Sequence, residues 1–376
     1  MDQASSPAQK PSKRIFYLDV ARAIAIISII TLHAINRSFD NYDNTQLEFE
    51  TICFFSTFIK AALTIFGRVG VPLFLMISGA LILRKSFDKP GSLERFYKHN
   101  VLSLFITAEI WYGIFFWFIV LVNPENMILE NSNGLDVFMR FIQTLLFQNQ
   151  VSMDGMWYMS MILGTYLVLP FFCVAKDKLP RWAFFIPMGV VVLNTFFLTS
   201  LNALLRVIDF PTFGSAISQT YVISWYLFYI LLGYFISCGM FEKFSTKQVV
   251  LVVFLIYGID IAAQIFYYAS PSNYLISYHS FGIFALAMMC FELIRRSESI
   301  FLKFEKPIIL LSAQSFALYF VHIVLMSLLE WYFVLPWAQP INFLVYEVIA
   351  ILGGLLIIQL FKRIPFVGKY VFSLKG

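Results

Sequence analysis

The chain has 376 residues, of which 60% are hydrophobic and only 13% charged, with a mean hydropathy of +0.77 and a formal net charge of +5. That balance excludes a soluble globular domain of this length and points to a polytopic membrane protein. The basic residues are spread between apolar spans, which argues against a nucleic-acid face, and the four cysteines (Cys53, Cys173, Cys238, Cys290) show neither metal-ligand spacing nor a disulfide framework.

Residues 1–14 form a polar tail, and 15–36 is the first apolar stretch. That stretch is too long for the core of a signal peptide, and no small-residue cleavage pattern follows it, so it is read as a retained helix. It holds three ionisable groups, Asp19, Arg22 and His33. On an α-helix Arg22 and His33 lie about three turns apart on nearly the same side, about 16 Å along the axis. Ionisable groups at membrane depth are costly unless they face protein or a wet cavity, so they default to a functional hypothesis. Asp19 sits one turn before Arg22 and is its natural partner. The plainer alternative is a structural Asp19–Arg22 ion pair with His33 reaching the far interface.

Further spans follow at 61–83, 101–122, 153–174, 182–201, 221–241, 248–268, 274–294, 307–329 and 341–361, ten in all, each about 20 residues long. There is no internal repeat, low-complexity tract or second domain. The chain thus divides into a tail 1–14, a membrane domain 15–361 and a short tail 362–376. Lys and Arg fall on alternate loops: Lys10, Lys13 and Arg14; Arg84, Lys85, Lys89, Arg95 and Lys98; Lys176, Lys178 and Arg181; Lys243 and Lys247; Arg295, Arg296, Lys303 and Lys306; then Lys362, Arg363, Lys369 and Lys375. The other side carries only Arg37, Lys60, Arg140 and Arg206. The positive-inside rule therefore places both termini in the cytoplasm.

With that orientation His33, Arg68 and His322 share an outer-half level, Arg22 lies nearer the cytoplasm, and His279 starts span eight at similar depth. The pattern suggests a polar channel with a cationic inner mouth and a histidine-rich outer chamber. His322 also fits a core histidine bonded to a backbone carbonyl. Arg68 cannot neutralise itself by losing a proton, so it needs either a ligand or a structural partner such as Glu109 or a helix end. Glu109, Asp260 and Glu347 read as structural partners or cavity liners, His99 as solvated, and Trp157, Trp331 and Trp337 as interface anchors. The chain has no G-x-x-x-x-G-K-[ST] loop, no H-E-x-x-H and no G-x-S-x-G, so it carries no nucleotide-driven pump motif, zinc-protease motif or nucleophile elbow.

Five stretches, in order, carry a resemblance. They are LDVARAIAIISIITLH with Arg22 and His33; RVGVPLFLMISGAL with Arg68, Pro72, Phe74, Ser78 and Gly79; MWYMSMILGTYLVLP with Trp157, Tyr158, Tyr166 and Pro170; YLFYILLGYFI with Gly233 and Tyr234; and SFALYFVHIVL with Ser315, Tyr319 and His322. On these the chain resembles the integral-membrane acyltransferase 3 family, in its surface-polysaccharide O-acyltransferase-like branch, across essentially all ten spans. Two departures stand out. Relatives often have a His two residues before the span-four Trp, where this chain has Gly155; either Asp154 substitutes for it or its role is missing. Many also have Arg-x-x-Arg entering span three, where this chain offers Arg95, Lys98 and His99.

The resemblance implies transfer of an acyl group, usually acetyl, from cytoplasmic acyl-CoA to a hydroxyl of a cell-surface or lipid-linked glycan, in the bacterial cytoplasmic membrane. Acyl-CoA is then a donor substrate, no resident cofactor or metal is expected, and the partners are the glycan acceptor, membrane lipid and glycan-assembly proteins. CoA phosphates would be held by Arg95 and Lys98, with Arg22 guiding the inner part of the pantetheine arm. His33 would act as general base or transient acyl carrier. Arg68 would stabilise the oxyanion or orient the acceptor. His322, with Tyr319 and Ser315 on its helical face, would bond the sugar or tune His33, and Asp19, Trp157 and Tyr158 complete the expected substrate contacts. Two other classes remain open from sequence: a secondary transporter of a small acyl or sugar compound, and a non-catalytic scaffold in glycan assembly.

Overall fold

A computed structural model describes residues 14–39, 54–123, 133–149, 153–217, 222–270, 275–333, 335 and 339–374. Among these every regular element is helical. We number them α1 (Phe16–Phe39), α2 (the pair Phe54–Arg68 and Gly70–Ile82), α3 (Ser92–Val122), α4 (Gly134–Leu145), α5 (Trp157–Lys178), α6 (Trp182–Val207), α7 (Trp225–Ser237), α8 (Thr246–Tyr268), α9 (Phe281–Arg296), α10 (Glu298–Tyr332) and α11 (Gln339–Phe361). The protein is a polytopic bundle of membrane helices. The tail 1–13, most of the predicted outer loops and Trp337 lie outside the described residues.

Each predicted span falls on one of these helices, but eight, not ten, are long and apolar enough to cross a membrane by themselves. The exceptions are α7, with 13 residues, and α9, with 16. The predicted span 274–294 fails at its start because residues 275–280 are not helical. There Gln264 accepts from Ile276 N (2.9 Å), Ser280 Oγ accepts from Ser277 N (3.0 Å), and Tyr229 donates to the Tyr278 carbonyl (2.9 Å). Irregular backbone at this depth is tolerated where protein meets its polar groups or where it lines a cavity, and this segment does both.

Helix α4 was not expected from hydropathy. A capping box starts it, with Asn133 and Asp136 exchanging side-chain and backbone bonds. Phe141 packs against Phe116 and Trp117 of α3, while Leu135, Phe138 and Met139 stay exposed.

Helix α1 is the central element, contacting α2, α10 and α11, and 78% of its most apolar window is buried. Glycine lets α2 approach it. A Cβ at Gly67 would stand 2.7 Å from Leu32 Cβ, and one at Gly70 would stand 2.7 Å from the Ala25 carbonyl oxygen. The second half of α2 crosses α7 in the same way, since a Cβ at Gly79 would lie 1.8 Å from the Ile230 carbonyl oxygen and one at Gly233 would lie 2.2 Å from that of Met76. Such small-residue crossings replace the hydrophobic drive that lipid cannot supply. Peripheral helices turn Leu193, Phe254, Ile259, Leu352 and Leu356 outward.

The basic loops gather at one end of the bundle. Arg84, after α2, donates to the Ser237 carbonyl at the end of α7 (2.8 Å), and Arg296 of α9 donates to the carbonyls of Phe241 and Phe244 (2.5 Å each). Glu292, fully buried, is paired with both Arg295 (2.9 Å) and Arg296 (2.5 Å).

Candidate active site

At the end opposite the basic loops the bundle opens into a cavity of about 570 Å³. His33 enters it from α1, Arg68 from the break in α2, Asp154 and Trp157 from the entry to α5, Trp225 from α7 and Tyr278 from the non-helical segment before α9. The break at Arg68–Val69–Gly70 and the glycine contacts with α1 set the level of the guanidinium beside His33.

His33 and His322 face each other across α1 and α10, ring centroids 5.4 Å apart. His322 is fully buried and its Nδ1 lies 2.8 Å from the Leu318 carbonyl oxygen. A carbonyl only accepts, so Nδ1 carries the proton. Nε2 has no hydrogen-bond partner among the described residues and stands as a free acceptor when the ring is neutral. The bonded-core-histidine reading of His322 thus holds for one nitrogen and leaves the other unassigned.

Asp154 Oδ2 is 3.7 Å from His33 Nδ1, within ionic reach and beyond a hydrogen bond. The same oxygen accepts from Arg37 Nη2 at 2.9 Å, and Arg37 Nε reaches Glu330 Oε2 at 3.1 Å. Arg37 is buried and ties α1 to the entry of α5 and the end of α10. His33 first, and Arg37 with it, hold the Asp154 carboxyl well below the usual carboxylate range, against the opposing cost of its burial.

Arg68 places its guanidinium carbon 5.0 Å from the centre of the Tyr278 ring. Its Nε is buried without a hydrogen-bond partner, and no carboxylate pairs with it among the described residues. The expected partner Glu109 is not there. Its own Oε1 is likewise buried and unpartnered among the described residues, while Arg68 turns to the aromatic wall. Tyr278 stacks on Trp225 at 6.2 Å and meets Trp157 at a tilt at 5.9 Å, and Trp157 also contacts Tyr226. Trp157 is therefore a cavity wall and not an interface anchor.

Toward the basic end a second cluster forms. Ser312 of α10 donates to Asp19 Oδ1 (2.6 Å), Arg22 Nη1 reaches both Ser312 Oγ (3.2 Å) and Asp19 Oδ1 (3.4 Å), and Arg14 holds the other oxygen of Asp19 at 2.5 Å. Ser315 returns its hydroxyl to the Ser312 carbonyl (2.9 Å). Between the clusters run hydroxyls: Tyr166 bonds Ser78 (3.1 Å), Tyr158 packs on Tyr319 (5.6 Å), and the Tyr319 hydroxyl donates to the Gly155 carbonyl.

The structure thus brings His33, His322, Arg68, Trp157, Tyr158 and Tyr319 to one level and Asp19, Arg22 and Ser315 to another. Arg95 and Lys98 stand apart, exposed on the first turns of α3. Sequence reasoning missed Ser312, Arg37 as a buried bridge, and the Trp225–Tyr226–Tyr278 wall. Ser312 had a readable signal, lying one turn before Ser315, whereas Arg37 reads as a loop cation because its acidic partners are distant in sequence.

A multi-pass helical membrane protein with paired imidazoles between an open cavity and a deeper guanidinium is the class that fold and site define. The family model for this acyltransferase domain matches residues 15–363, and the chain belongs to the acyltransferase 3 family as a membrane acyltransferase. No curated protein and no solved structure matches it.

Proposed function

We propose that the chain transfers an acyl group, in the first instance acetyl, from cytoplasmic acyl-CoA to a hydroxyl of a cell-surface or lipid-linked glycan in a bacterial cytoplasmic membrane. The observation that carries this reading is His33, at the inner wall of the open cavity, with Arg22 about three turns nearer the basic end on almost the same side of α1. The basic end is cytoplasmic by the positive-inside rule. Residues 15–361 act as one catalytic membrane domain between short cytoplasmic tails, 1–14 and 362–376. Acyl-CoA is a substrate here, with Arg95 and Lys98 meeting its phosphates and Arg22 its thinner arm.

In direct transfer His33 takes the proton of the acceptor hydroxyl as its oxygen attacks the thioester carbon. The carbon–sulfur bond breaks and the proton passes to the departing thiolate. In double displacement the His33 nitrogen attacks the thioester carbon and CoA leaves as its thiolate; the acceptor oxygen then attacks the acyl carbon, the carbon–nitrogen bond breaks, and the hydroxyl proton neutralises the thiolate. Asp154 stabilises the imidazolium of the first route, His322 supplies a fixed neighbouring acceptor, and Arg68 orients the acceptor or meets the oxyanion.

Purified protein in detergent is expected to consume acetyl-CoA in the presence of acceptor and without any membrane gradient, and His33→Ala is expected to abolish this while leaving membrane insertion intact. Near-normal transfer by purified His33→Ala protein rejects the assignment. Consumption that requires a gradient favours transport.

A further inference from the structure

We infer that the cavity beside His33 seats a sugar bearing a negative charge, with Arg68 as its anchor, so that the acceptor is an acidic glycan. This rests on reading the cavity as the acceptor's seat and goes on to name the acceptor's chemistry.

The argument starts from the charges that face the cavity. Asp154 and Glu330 both turn to Arg37, at 2.9 and 3.1 Å, so two carboxylates share that one guanidinium and neither pairs with Arg68. His33 and His279 add no negative charge. Arg68 is left as a guanidinium at membrane depth with a buried, unpartnered Nε and no carboxylate among the described residues. Its contact with the Tyr278 ring at 5.0 Å is a cation–π interaction, which meets the charge from one side only. Arg68 is half-buried on the open cavity, and the ring leaves its buried Nε–H without an acceptor. An anion entering the cavity supplies the missing partner, and a planar fork of N–H donors suits a carboxylate or phosphate oxygen.

The rest of the wall says what carries the anion. Trp157, Trp225, Tyr226 and Tyr278 form a continuous aromatic surface, with neighbouring ring centroids 3.8 to 6.2 Å apart. Flat apolar rings with polar edges suit the C–H face of a pyranose while its hydroxyls stay at the rim. A cavity of about 570 Å³ lies within the range of small-molecule sites and exceeds what one carboxylate needs. His33 shares this cavity with Arg68, so an anchored anion presents a hydroxyl of its own sugar ring, or of the next one, to the imidazole.

The test uses the purified full chain in detergent with no acyl donor. Tryptophan fluorescence, to which Trp157 and Trp225 contribute from the cavity wall, is titrated with glucuronate, with glucose 1-phosphate, and with glucose plus matching salt. At least one anionic sugar is expected to bind at least about ten-fold more tightly than glucose. The stronger of the two names the anion as carboxylate or phosphate. Arg68→Gln should remove the preference and keep the glucose response, whereas Arg68→Lys should keep the preference with weaker binding. Equal responses to all three sugars, no response to the anions, or a preference that survives Arg68→Gln overturns the inference. Because no donor is present, anion binding without acetyl-CoA consumption fails the transfer reading alone. Transfer confined to neutral acceptors fails this inference alone.

Discussion

Replacing Asp154 by Asn removes a charge and keeps the shape, which isolates what the carboxylate does for His33. Coulomb's law at 3.7 Å gives about 4.5 kcal/mol at an effective dielectric of about 20 and about 1.1 kcal/mol in bulk water. The Asp154 side chain is 52% exposed, so the value lies toward the lower bound, about 1.5–2 kcal/mol. That energy applies only to the step in which the imidazole is cationic, so kcat should fall about 10–30-fold with little change in KM for acyl-CoA. The assay is steady-state acetyl-CoA consumption by purified protein with a saturating acceptor. Glu330→Gln is the control. It takes the other partner from Arg37 without touching His33, and should leave kcat within about two-fold of the parent. A kcat for Asp154→Asn within two-fold of the parent, or a loss matched by Glu330→Gln, would show that the carboxylate only braces Arg37.

Two further outcomes test the frame around the site. Gly79→Ala should destabilise the protein by at least about 3 kcal/mol in detergent melts, because its Cβ meets the Ile230 carbonyl oxygen at 1.8 Å, while Gly164→Ala, with open space around it, should be neutral or gain about 1 kcal/mol.

Hydropathy and basic-residue spacing revealed the helical class because the backbone in lipid has few alternatives. They could not reveal that Phe281–Arg296 begins late, since Leu275, Ile276 and Tyr278 are as apolar as a helix start. What keeps them out of the helix is Gln264 on α8, a tertiary partner. Helix α4 was missed for the opposite reason. Its capping box was legible as Asn133 and Asp136, but the segment is too short and polar to register as a span. At the site, His33, Arg68 and His322 share a level because depth is proportional to residue count along a helix. Proximity is a different quantity, and it depended on Gly67 and Gly70 drawing α2 onto α1.

The two polar clusters differ in how far they satisfy themselves, and that difference separates their roles. Near the basic end Asp19 is met by Arg14, Arg22 and Ser312, an arrangement that is stable with no ligand present. At the opposite end His33 Nδ1, His322 Nε2 and Arg68 Nε are all buried without hydrogen bonds among the described residues. Each such group costs about 1–3 kcal/mol, and more where it is charged. A fold that needed these residues only for packing would be more stable with apolar ones of similar volume. His33 and Arg68 line one open cavity beside a carboxylate held by Arg37, with His322 directly behind His33, and this is accounted for if a bound molecule completes the bonds at the cavity. The unsatisfied groups are one cationic donor and two imidazole nitrogens, the set that an attacking hydroxyl and a neighbouring anion require.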